Sequence, residues 1–329
     1  MEFEGNLLQY GKDGALYKKF DGTTLWSQSY EMQQPLCIRK GGYLCIADQG
    51  GNSVLLFNKA GLVMQTETTQ QVIQAAVSEN GTAALILEGD NDYTVQLLDK
   101  SGETTAKGNA HLDETGFPVS AAVSSTGQQL AVSYLDVMSG ELSTKVTFYD
   151  FGTSESNANH VVSIDTYSGE AVPRLEYMDN GSLVAFGSRN IRIYNHAEKP
   201  SVSKTIKLDN EIKSIFCNGK KFGIVYLNGA SGGSSSGDAS EGAYEMKVYS
   251  AAGRLAFTTD FDLDYKDIRF LDNGQACILG SKSFSIVSCF GRARYTGELD
   301  EPLYGVFYGG SSRTYYLVCQ DKVDRIRLE

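Results

Sequence analysis

Short apolar runs recur along the chain, and each is bounded by glycine, asparagine, aspartate or serine. The stretch "IADQGGNSVLLFNKAGLV", residues 46–63, is representative: two strand-like runs with a turn on either side of the second. Runs of the same kind are "YLCIAD", "AALILE", "LAVSY", "LVAFG", "FGIVY", "ACILG" and "YYLVC". They alternate apolar with polar, or run continuously apolar and are rich in β-branched and aromatic residues. Both patterns belong to strands, the continuous one to strands buried on both faces. Five prolines, frequent glycines and the lack of a sustained 3.6-residue period argue against helices.

Two families of turn alternate between these runs. One reads "EGN" 4–6, "KGG" 40–42, "ENG" 79–81, "STG" 125–127, "DNG" 179–181, "NG" 218–219, "DNG" 272–274 and "YGG" 308–310. The other reads "FDG" 20–22, "NKAG" 58–61, "DKSG" 99–102, "DFG" 150–152, "NHAE" 195–198, "SAAG" 250–253 and "CFG" 289–291. Asn or Asp followed by Gly supplies the left-handed conformation that closes a short hairpin. The unit is therefore four antiparallel strands, A to D, repeating at about forty residues, the signature of a β-propeller. The predicted fold is all-β, a single propeller domain over residues 1–329. The first turn family closes A to B and occurs eight times; the second closes C to D and occurs seven times. Both end units contain strands B and C, so they cannot merge into one blade. Eight blades are expected, incomplete at both termini, with seven as the alternative.

Two segments break the rhythm, "LDVMSGELS" at 135–143 and the Gly/Ser-rich "NGASGGSSSGDASEGAY" at 228–244. Both fall between strands B and C, at the end of the blades shared with the D–A links, where partners dock on propellers. They read as tolerated surface insertions, or as contacts to a partner.

Composition narrows the partners. The net charge is −11 and no Lys/Arg cluster is present, so nucleic acid and anionic membrane surfaces are not expected. The opening "MEFEGNLLQY" has neither a charged nor an apolar leader segment, so no signal peptide is expected. Six cysteines include no CxxC pair. Cys37 and Cys45 lie equally far from Gly41, which predicts that they face each other across a hairpin. A disulfide there is demanding geometrically, and the plainer reading is free thiols serving as small apolar residues.

Candidate chemistry is sparse. In "DFDLDYKD", 260–267, the carboxylates of Asp260, Asp262 and Asp264 alternate with apolar residues. An EF-hand loop needs Gly where Tyr265 stands and an acid where Leu271 stands, so a solvated acidic edge is the reading, with calcium as the weighed alternative. "GASGG" at 229–233 has the letters of a nucleophile elbow without its strand, helix or histidine partner. His111, His160 and His196 lie in separate units near turns, and read as surface residues rather than a metal ring. "NGT" at 80–82 and "NGS" at 180–182 match glycosylation sequons, but both coincide with A–B turns, which account for them. Tyrosines are the remaining lead. Tyr30, Tyr167, Tyr265 and Tyr304 fall around D–A links, where they anchor a partner or pack between blades. With Asp136 and Asp264 they make up the candidate ligand or partner face. No catalytic residue, cofactor or metal is expected.

Several stretches carry resemblances. "IADQGGNSVLLFNKAGLV" resembles a blade of the NHL type, in which an Asp ends one strand. "LLQYGKDGALYKKFDGTTLW" is similar to a quinoprotein-type blade, although that class carries a tryptophan motif in most blades and this chain has only Trp26. Repeats of the WD40 and YVTN kinds share the architecture. Across nearly the whole chain, "LWSQSYEMQQP", "LAVSYLDV", "TKVTFYDFG", "VPRLEYMDNGSLVAFG", "EIKSIF" and "TTDFDLDYKDIRF" resemble a family of uncharacterised Firmicutes proteins. Members carry one N-terminal transmembrane helix and then an extracytoplasmic propeller of unknown function. The resemblance implies a bacterial envelope protein, anchored by a helix absent from this sequence, and brings no catalytic residues. A non-enzymatic module binding a protein or cell-wall component is the expectation. A glycan-acting lyase or hydrolase at the channel mouth, and a cytoplasmic scaffold, are the alternatives.

Overall fold

A four-strand hairpin ladder exposes two apolar faces, and burying both requires a similar sheet on either side. The computed structural model describes residues 1–90, 92–111, 116–137, 140–152, 160–228, 243–311 and 313–328, and among these every regular element is a strand. The strands form eight antiparallel sheets in chain order, seven with four strands and the last, residues 303–327, with three. The fold is an eight-bladed β-propeller. Blades are numbered 1 to 8 along the chain, and strands A to D within each. The eight-blade expectation holds, and the last blade stops after strand C (Val323–Arg327); the first blade, expected to be incomplete, has all four strands, the short Glu2–Phe3 supplying strand A. The insertion "GASGG" and most of the Gly/Ser segment lie outside the described residues.

Packing divides the chain into two compact units, residues 6–206 and residues 1–5 with 207–329. In the first, strand B of blade 3 (Ala83–Glu88) is buried on both sides. Ala83, Leu85 and Leu87 face blade 2, packing with Cys45, Val54 and Leu56. Ala84 and Ile86 face blade 4, packing with Val123, Leu130 and Val132. This explains a continuous apolar run in place of strict alternation. Trp26 of blade 1 stacks on Phe57 of blade 2 at 5.0 Å and 7°. In the second unit the same logic joins blade 6 to blade 7 through Val225, Met246, Ile278 and Val287.

The turns follow from side-chain hydrogen bonds. At 99–102 the Asp99 carboxylate accepts from the Ser101 hydroxyl (2.6 Å) and from the backbone N–H groups of Ser101 (2.8 Å) and Glu103 (3.0 Å). The Ser101 hydroxyl, first among these donors, holds its pKa below the usual carboxylate value. Gly102 takes φ +87°, a conformation other residues adopt at a cost. At the A–B turns Asn80 accepts from the Thr82 N–H and Asn180 from the Ser182 N–H, each at 3.1 Å. Both sequon asparagines are thus engaged in their turns.

One local expectation is corrected. In blade 2 the A–B turn contains two glycines, Gly41 and Gly42, with Lys40 opposite Tyr43, so Cys45 faces Ile38 and Cys37 faces Ile46. A register one residue off the Gly41-centred one sends the two side chains to opposite sheet faces. All six cysteines are free thiols, and burial pushes Cys37 and Cys45 each up to about 12.

Gly223 lies opposite Phe216, whose ring covers it and packs on Phe270 with centroids 4.6 Å apart. A methyl group at position 223 would sit 2.1 Å from a ring carbon of Phe216. Gly223→Ala is therefore predicted to lower stability by about 1–3 kcal/mol through forced repacking, read as a lower midpoint in chemical denaturation. A change below about 0.5 kcal/mol would show that the ring moves aside freely.

Candidate functional site

In the unit of residues 207–329, the D–A links and strand starts of blades 6 to 8 bring aromatic rings and lysines together. Strand A of blade 6 (Ile212–Cys217) starts with Lys213 and Ser214 close to the end of strand D (Leu255–Phe261) and the link after it. The Lys213 ammonium donates to the Tyr244 hydroxyl at 3.0 Å and lies 4.1 Å from that ring's centroid and 4.9 Å from that of Tyr265. The two rings meet edge to face at 5.2 Å and 81°, and the Tyr265 hydroxyl shares a hydrogen bond with Ser214 Oγ at 2.7 Å. Phe261 completes the cluster, 5.2 Å from Tyr244 and 5.6 Å from Tyr265. Burial raises the Tyr265 pKa, against the lowering influence of the Ser214 hydrogen bond and the Lys213 charge. Beside it, Lys266 donates to the Leu303 carbonyl and lies 5.6 Å from the centroid of Tyr304, a residue 58% exposed.

Of the six residues expected on a partner face, Asp264 and Tyr265 lie beside Lys213, and Tyr304 lies beside Lys266, the residue after Tyr265. The acids of 260–267 do not converge. Asp260 is 3.4 Å from the Asn228 amide, Asp262 accepts from the Ala243 N–H at 2.8 Å, and Asp264 is exposed and adds to the field on Lys213. Among the described residues no group of three or more His, Cys, Asp or Glu is placed to hold a metal ion.

Tyr30, Asp136 and Tyr167 lie in the other unit, Tyr30 on the link into blade 2 and the other two in blade 4. The Tyr30 hydroxyl is buried without a hydrogen-bond partner among the described residues, and burial pushes it up to about 12. Asp136 is half-buried where strand B of blade 4 (Gln129–Asp136) ends. Tyr167 is fully buried in strand D of blade 4 (Val161–Ser168), facing strand C of blade 5 (Asn190–Tyr194). Its hydroxyl lies 2.9 Å from that of Tyr194, which donates to Asp165 at 2.5 Å. Arg192 pairs with Asp165 at 2.9 Å and covers the Tyr167 ring at 3.8 Å. This network ties two blades together. His111 ends strand D of blade 3 (Thr104–His111), His160 precedes strand D of blade 4 beside Phe151, and His196, in the C–D turn of blade 5, lies against Gly181 of that blade's A–B turn.

Across the inner strands of this unit, Lys40 of blade 2 donates to the Tyr177 carbonyl of blade 5 at 2.7 Å and pairs with Glu176 at 3.6 Å. In blades 2 and 5 the D–A link is also fastened to the end of strand B or the B–C turn of the same blade. Asp48 accepts from the N–H groups of Gln33 (2.9 Å) and Gln34 (2.8 Å). Glu170, 2% exposed, accepts from the N–H groups of Arg189 (2.7 Å) and Asn190 (2.6 Å) and from the Asn190 amide (3.1 Å).

Blade 3 departs from this. Between it and blade 2 a cavity of about 620 Å³ is lined by Thr69, Gln70, Asp92, Thr94, Lys107 and Asn109. A second of about 520 Å³ shares Thr69 and Gln70 and extends to Asn52 and Glu88. No motif pointed to these residues. The available signal was polar alternation at Asp92, Thr94 and Gln96 and again at Lys107 and Asn109, on strands whose other face is apolar.

The chain matches the profile of a family described as "Family of unknown function (DUF5711)" over residues 1–328, and it belongs to that family. A comparison with curated proteins finds no match. Among solved structures it is similar to BamB from Moraxella catarrhalis, with 12% identity, a TM-score of 0.51, and 97% of this chain and 95% of that one covered. It is also similar to Hsv2 from Kluyvelomyces marxianus, with 13% identity, a TM-score of 0.56, and 89% and 92% covered. The Pan2 WD40 domain of Neurospora crassa follows at 11% identity, a TM-score of 0.50, and 86% and 84% covered. At these identities the likeness is one of fold.

Lys213→Met is predicted to raise the Tyr265 pKa further, since the ammonium favours the phenolate. Tyrosine-labelled NMR titration reads this directly. An unchanged Tyr265 titration would mean that the cation does not rest on the ring in solution.

Proposed function

We infer that the protein is a non-enzymatic recognition module that binds a protein partner through the D–A end of blades 6 to 8. The observation that carries this reading is the gathering of Asp264, Tyr265 and Tyr304 with Lys213 and Lys266. Such a surface offers amphipathic rings at low conformational cost, rimmed by charges of both signs, a composition suited to interface anchors. The resemblance to membrane-anchored propellers of Firmicutes supports an extracytoplasmic location, with the native chain held by an N-terminal helix.

The test places a photo-crosslinking residue at Tyr304 and, separately, at Phe290, an 85% exposed residue in the C–D turn of blade 7. A discrete protein adduct from position 304 and none from 290 is expected. Adducts from 290 alone, or from neither, would reject this face. Protease added to intact protoplasts is expected to digest the propeller; full protection would favour the cytoplasmic scaffold.

A further inference from the structure

The two cavities beside blade 3 occupy a place that is filled in blade 5. Strand registers align Thr94 with Asn190, and Gln70, four residues before Gln74, with Glu170, four before Arg174. In blade 5 the Glu170 carboxylate takes up the Asn190 amide and two backbone N–H groups. In blade 3 the side chains at the same two positions make no such bond. Among the described residues, none of the six side chains lining the larger cavity is hydrogen-bonded or ion-paired to another protein group. Thr94, 4% exposed, lines the cavity. Thr69, Lys107 and Asn109 are exposed and Gln70 and Asp92 half-buried, so these polar groups are open to solvent and to a ligand's hydrogen bonds.

The local geometry keeps the space open. Tyr93 and Val95 turn to the other face of the strand and pack against blade 4. Thr94 and Asn109 stand opposite each other on strands C and D, with Lys107 two pairs further along on the same face, opposite Gln96. Gly89 has no side chain where Asp92 Oδ1 and Gln70 Nε2 approach; an added methyl would lie 2.1 Å from the first and 3.0 Å from the second. A carboxylate and a carboxamide are thus brought to one wall.

We propose that this inter-blade cleft binds a neutral saccharide. The wall offers two hydroxyls, two carboxamides, one carboxylate and one ammonium, so donors and acceptors are mixed and the charges of Asp92 and Lys107 balance. Sugar hydroxyls both donate and accept, and planar carboxylate and amide groups engage neighbouring hydroxyls in pairs. A polyanion would meet Asp92 and Glu88, and an apolar ligand would strip water from groups it could not satisfy. The cavity volume falls within the range of small-molecule sites. The proposal rests on the recognition reading above and adds a ligand class at a second place in the fold.

The test screens the whole protein on an array of neutral and amino-sugar oligosaccharides, followed by titration calorimetry with the strongest binder. Thr94→Val, which keeps the shape and removes the hydroxyl, and Asn109→Ala are each expected to weaken binding about tenfold with an unchanged melting curve. Tyr304→Ala is expected to leave it unaltered. The proposal fails if no oligosaccharide binds, or if both cleft variants bind like the parent. It fails also if a free amino acid or dipeptide binds in place of sugar and is lost in Asp92→Asn and Lys107→Met. A glycan recovered shortened after incubation would confirm the site and overturn the non-enzymatic reading. Loss of the position-304 adduct alone would overturn only the protein-binding face.

Discussion

Burial of both faces of the central strands is the constraint on which everything else rests. A strand such as Ala83–Glu88 sends Leu85 and Leu87 to one neighbour and Ala84 and Ile86 to the other, each fully or almost fully buried. Each large aliphatic side chain so buried contributes about 1.5–3 kcal/mol, which no isolated blade could gain. The repeat therefore has meaning only in series, and the turns must keep each strand's alternation in step with the next. A one-residue slip would turn every core side chain outward.

Toward the outer strands the demand changes. In blades 3 and 5 strand C presents apolar residues to the following blade and mostly polar ones to the preceding blade, and the two junctions resolve the polar side differently. Between blades 4 and 5 an Arg192–Asp165 pair, two tyrosine hydroxyls and Glu170 satisfy it internally. Between blades 2 and 3 the same positions are left to solvent or ligand. Structural closure and a binding cleft are two outcomes of one topological site, separated by the exchange of a carboxylate for a carboxamide at Gln70 and of an amide for a hydroxyl at Thr94.

The aromatic cluster of blades 6 and 7 follows a third course. Lys213 and Ser214 satisfy the hydroxyls of Tyr244 and Tyr265, so Tyr265 is held in place against the buried Tyr244 while part of its own surface stays accessible. Rings held by such contacts lose little freedom on meeting a partner. Tyr167, of the same residue type, is consumed in packing because it points between two blades.

The strand runs, both turn families and the eight-blade count were legible in the chain because hairpins are local: an Asn or Asp and a glycine within four residues dictate the reversal. Asp264, Tyr265 and Tyr304 could be singled out for the same reason, since their place on D–A links follows from the repeat. What lay beyond it was set across distance. A second glycine at position 42 moved the Cys37 register by one residue, which only the pairing of two strands reveals. Whether a tyrosine is buried like Tyr167 or open like Tyr304 depends on the neighbouring blade. Gln70 and Thr94 line one cavity although they are 24 positions apart in the sequence. The sequence by itself determined the repeat and its turns, since these are local hydrogen-bond and steric problems; the tertiary structure alone decided which polar groups were satisfied, since that depends on what the adjoining blade supplies.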